Sequence, residues 1–148
     1  MENIANNQLS EELQELYLEN KEWSSELSFL EDESRFFEKL FDNIISSAID
    51  AAHISKLKFV SAILIHLKNK RIEIKALVLE HQAFLTSLLA KPGKMIGLEL
   101  LDKNTLIMDE VKALFKESKL AKKELYQLIE EVIDQQKKAH LLKQSLDD

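Results

Sequence analysis

The sequence predicts an all-α protein: three long antiparallel helices in an up-down-up, coiled-coil-like bundle, open to doubling by dimerisation. Three observations carry that expectation. The 148 residues include two glycines and one proline, whereas sheets joined by tight turns consume both at positions of special backbone geometry. Helices use almost none, because both residues weaken a helix interior. Apolar residues recur at alternating steps of three and four along three stretches, the 3.5-residue period that keeps one stripe against a packed neighbour. One clear breaker, Lys91-Pro92-Gly93, then separates the last stretch from the rest.

The first helix is expected over about 9–46. Its seam reads Leu9, Leu13, Leu16, Asn20, Trp23, Leu27, Leu30, Ser34, Phe37, Phe41 and Ile44. Asn6, Asn7 or Ser10 can cap it, and Glu11, Glu12 and Glu15 suit the positive end of the helix dipole. The second helix, about 53–90, has the seam Leu57, Val60, Leu64, Leu67, Arg71, Ile74, Val78, His81, Leu85 and Leu88. The first seam, continued, runs one residue out of phase with Leu57. A turn is therefore expected between Ser46 and His53, with Ser47 and Asp50 as candidate caps. The third helix, about 102–146, reads Ile107, Val111, Leu114, Ser118, Ala121, Leu125, Leu128, Val132, Gln135, Ala139, Leu142 and Leu146. Asn104 or Asp102 can cap it, while Met95 to Leu101 either packs over the bundle end or starts the helix early. The whole chain, 1–148, reads as one domain, a size that sustains a single core.

An apolar share of 45% and a charged share of 31% argue against disorder. Charge is unevenly laid out. Residues 1–50 hold 13 acidic and 3 basic residues, 51–95 hold 2 and 8, and 96–148 hold 11 and 9, which reproduces the net −6. An acidic first helix beside a basic second one accounts for this without a nucleic-acid partner. The densest basic cluster, Lys68-Asn69-Lys70-Arg71, lacks the interleaved aromatics of a nucleic-acid groove. The longest apolar run, Phe59 to Leu67, spans nine residues against roughly 20 for a membrane span. There is no cysteine, which excludes disulfides and thiolate sites. The opening Met1-Glu2-Asn3-Ile4 is polar where a secretion signal is basic and then apolar. A soluble cytoplasmic protein is the expectation.

No chemistry is written in the motifs, and the chain is read as non-enzymatic. Bundle di-iron sites need Glu-x-x-His on facing helices, and none occurs; Asp50-Ala-Ala-His53 stands alone. No Gly-rich phosphate loop and no Gly-x-Ser-x-Gly elbow is present. No cofactor, metal or catalytic residue is assigned.

Two features exceed a plain bundle. Polar residues interrupt the seams, and Asn20, Arg71 and His81 form a candidate buried polar layer. In a hairpin turning near residue 50, facing positions sum to about 100, so Asn20 belongs within a turn of His81. Arg71 then calls for an acid from the first helix, or Glu117 or Glu124. Apolar residues also lie off the seams: Phe29, Phe36 and Leu40 on the first helix, and Ile65, Ile72 and Leu79 on the second. These rows form a candidate partner surface. The geometry is similar to that of spectrin-type repeats and of regulatory helical domains of membrane-fusion proteins, a likeness of architecture alone. The function expected is a helix-to-helix interaction or structural module, through self-association or another helical protein. The alternative is a small-ligand-binding bundle lined by the polar layer.

Overall fold

A computed structural model describes residues 2–46, 51–91 and 97–147. They form three long helices packed against each other: α1 (Glu2–Ile45), α2 (Ala51–Leu89) and α3 (Leu98–Asp147). The described residues contain no strand. α1 ends at Ile45 and α2 starts at Ala51, around the break expected between Ser46 and His53; the candidate caps Ser47 and Asp50 lie outside the described residues, as do Pro92 and Gly93.

Both remaining cap expectations are corrected. α1 is already helical at Glu2, so Asn6, Asn7 and Ser10 sit inside it. α3 begins at Leu98, where the carbonyl of Gly97 accepts from the amides of Leu100 and Leu101 at 3.2 and 3.4 Å. Asn104 and Asp102 are therefore interior positions. The reason is packing. The third seam, stepped back from Ile107, lands on Asn104 and Leu100, and Leu100 is buried. Starting the helix at residue 102 would have lost that apolar contact.

The residues cluster into two compact units. The first comprises the described residues up to Asp32 together with Asn69–Phe115. One part of its core packs Leu13, Leu85 and Leu100, with Leu16, Tyr17, Leu88 and Leu89 around them. Trp23, Leu27, Ile74, Val78, Ile107 and Val111 are buried as well. The second unit takes Glu33–Lys68 and the described residues from Lys116 onward. Phe37, Phe41 and Ile44 of α1 meet Leu57 and Val60 of α2 and Leu125, Leu128 and Val132 of α3. Tyr126 stands edge-on to Phe37 at 5.7 Å between ring centres. Every residue just named except Tyr17, Leu89 and Tyr126 lies on a heptad seam or its backward extension.

The third seam fails beyond Gln135. Leu142 and Leu146 are 66% and 86% exposed, and Ala139 is exposed too. In the second unit Lys56 of α2 is level with Glu131 of α3. The described part of α2 starts only five residues before Lys56, so α3 outruns it by about residue 136.

Candidate functional site

α2 differs from its neighbours in kind. α1 and α3 concentrate their apolar residues toward one side, whereas α2 carries them on two opposite sides. An apolar side of a helix is normally covered. Here Ile65, Ile72 and Leu79 are 59%, 55% and 50% exposed. Between them run Ala62, Asn69, Ala76 and Ala83, all exposed, so the outward face of α2 is a ridge of branched side chains beside a lane of small ones. On α1, Phe29 and Phe36 are exposed. Leu40 is the exception in that row: it is half-buried and packs against the core of Phe37, Phe41 and Val132.

The polar layer is only partly as expected. Asn20 and His81 are fully buried. Asn20 Nδ2 donates to the carbonyl of Val78 at 3.1 Å, which sits one turn before His81, as the hairpin register requires. Arg71 is corrected: it is half-buried, and among the described residues no carboxylate lies within ion-pair distance of it. A half-buried arginine is not cut off from water, so the cost that called for a buried acid does not arise.

The residue that reasoning from sequence missed is Asn104. It is buried, and its Oδ1 accepts from His81 Nε2 at 3.2 Å. Stepping the third seam back by one heptad was the signal that could have found it. His81 Nδ1 and Asn20 Oδ1 find no protein partner among the described residues. Burial pushes the His81 imidazole below its ordinary value near 6.5; the Asn104 bond opposes this and nearby Lys103 adds to it. The layer therefore holds a neutral histidine. In the same unit Glu26 is pushed up from its usual value, first by burial and then by Glu22.

Shallow grooves open among the described residues. One in the first unit, about 450 Å³, runs between Glu19, Trp23 and Glu26 of α1 and Met108, Lys112 and Phe115 of α3. A second lies beside Phe84, Leu88 and Leu100, and a third in the other unit beside Lys56, Phe59 and Glu131. None of these three is lined by Asn20, Arg71 or His81. Among the described residues no three His, Asp or Glu side chains gather into a metal-binding group, and no helix is long and apolar enough to cross a membrane.

Three of the lysines of α2 meet acids within the chain. Lys75 reaches Glu31 at 3.3 Å, Lys56 reaches Glu131 at 2.9 Å, and Lys70 reaches Glu73 at 3.9 Å. Acids of α1 also serve α3, where Lys122 reaches Glu33 at 3.4 Å. Compared with known protein families, with curated proteins and with solved structures, the chain matches none.

Proposed function

We propose that this chain is a non-enzymatic interaction module whose helices run up-down-up and whose contact surface is the outward face of α2. The observation that carries the reading is the exposed row Ile65, Ile72 and Leu79, on the side of α2 opposite its buried seam. Burying one such side chain is worth roughly 1.5–3 kcal/mol, and contiguous exposed apolar surface on a protein usually marks a contact. A helical partner fits a row repeating every seven residues, since its own seam can follow the same period. Nucleic acid fits poorly, because the acids Glu73 and Glu80 border the row along with its lysines.

A ligand-binding reading rests on the unpartnered atoms His81 Nδ1 and Asn20 Oδ1, and it is the weaker of the two because no groove described above reaches them. Native mass spectrometry of the full chain purified from its source separates the two. A retained protein chain, lost in Ile72→Glu together with Leu79→Glu, is the expected outcome. A retained small molecule lost in His81→Leu would favour the second reading, and a bare single chain would oppose both.

A further inference from the structure

The outward face of α2 has a second seam of its own. Ala62, Asn69, Ala76 and Ala83 recur every seven residues, and Ile65, Ile72, Leu79 and Thr86 follow each of them by three. All eight are exposed. This is the three-four alternation of a two-stranded coiled coil, with the small residues at one core position and the branched ones at the other. The residues flanking it are charged by side. Lys68 and Lys75 precede the small position, and Glu73 and Glu80 follow the branched one.

We propose that α2 pairs in parallel with α2 of a second copy of this chain, through the lane of Asn69 and Ala76 and the ridge of Ile72 and Leu79. The proposal rests on the reading of this face as a contact surface and adds the partner and its direction. Charge decides both. In a parallel pair each flanking residue before the core faces the residue five positions on in the other strand. Lys68 then meets the partner's Glu73, and Lys75 meets the partner's Glu80, each twice by symmetry. In an antiparallel pair like flanks face each other, lysine against lysine and glutamate against glutamate. A partner carrying this same pattern in parallel is thus satisfied where its reverse is repelled.

Asn69 adds register. A single asparagine at the first core position aligns with its own copy and disfavours slipped or larger assemblies. Ala76 and Ala83 let the helices approach closely. Of the intrachain pairs that compete, Lys75 with Glu31 at 3.3 Å is part-buried, whereas Glu80 with Lys103 at 3.9 Å leaves Glu80 72% exposed. Such an exposed pair as that of Glu80 is weak and readily exchanged. Both helices are already folded and held by their bundles, so little ordering opposes the pairing. One helix face buries less than the roughly 1,600 Å² of a standard interface, so association in the micromolar range is expected.

The chain has no native cysteine, which makes single-cysteine variants of the full chain clean probes. Parallel pairing sets every position opposite itself, whereas antiparallel pairing does so only at its midpoint. Asn69→Cys and Ala83→Cys, each alone and oxidised at about 100 μM, where a micromolar complex is populated, are expected to give a disulfide-linked dimer in both variants. Lys75→Glu and Glu80→Lys are each expected to weaken the dimer roughly tenfold, read by sedimentation velocity, and the double variant to restore it. Thermal melts by circular dichroism on the same variants show whether each bundle is intact. A wild-type dimer in which only one cysteine position links would overturn the parallel direction while leaving the face as a contact surface. A wild-type single chain at that concentration, with neither position linking, would overturn the second copy as occupant, and the contact-surface reading would then stand or fall on another helical protein. A dimer indifferent to both the charge swap and the cysteines would place the interface elsewhere.

Discussion

At the scale of single residues, His81 carries the clearest pH signature. Its imidazole titrates below 6.5 in the folded chain because burial penalises the charged form. Between that lowered value and 6.5, the unfolded chain binds a proton that the folded chain does not. Stability therefore rises with pH across this window and is lost as pH falls through it. Glu26 acts oppositely and lower down: its raised value means the folded chain holds a proton just above 4.5, favouring the fold there. Denaturant unfolding between about pH 7.5 and 5.5 is expected to show declining stability, with less decline once His81 is gone. A wild-type slope identical to that of the variant would contradict the buried, neutral histidine.

The pair with Asn104 sets what that variant must be. His81→Leu alone leaves the Asn104 carboxamide buried and unpartnered, a loss of about 1–3 kcal/mol. His81→Leu with Asn104→Leu replaces both partners by apolar groups and is expected to recover most of that loss or exceed wild-type stability. A double variant as unstable as the single would show that the pair supplies more than internal polarity. Asn20 and His81 were legible in the sequence because they interrupt an apolar repeat. Asn104 was not, because asparagine shortly after a Pro-Gly turn reads equally well as a helix cap. Arg71 misled for a different reason: a seam position says which way a residue points, not how far a long side chain travels back to water.

At the scale of the helices, the seam positions up to Val132 were legible because burial follows a period that sequence displays directly. Where a seam stops mattering was not, since that depends on where the neighbouring helix ends. Leu125 and Leu142 both lie on the third seam, yet one is fully buried and the other 66% exposed. Leu125→Ala is expected to cost about 2–5 kcal/mol and Leu142→Ala less than about 0.5 kcal/mol, by denaturant unfolding. Comparable losses would mean that the last turns of α3 are covered. The start of α3 offers a gain instead. A side chain at Gly97 meets nothing within 4 Å, and the residue stands at the helix N-cap. Gly97→Ser is expected to stabilise by about 0.5–1 kcal/mol, through a side-chain cap and a less flexible unfolded chain. A lower melting temperature would contradict that placement of the helix start.

At the scale of the molecule, the fold class followed from the Gly and Pro count and the three seams, while function left no motif to read. What the sequence did contain was a surplus: α2 has more apolar residues than a helix with two neighbours uses, and the fold leaves the surplus in water. Phe29 and Phe36 on α1 add to it, but they lack the lane of small residues and the ordered charges that give the α2 face a direction. The central claim is that this face pairs with a second copy of the chain. Sedimentation equilibrium of the full chain at micromolar to hundred-micromolar concentrations, beside Ile72→Glu, tests it most directly. The expected result is a mass above that of one chain for the wild type, falling to one chain in the variant with helicity retained. A wild type that stays a single chain throughout, or an Ile72→Glu variant that unfolds rather than dissociates, would contradict it.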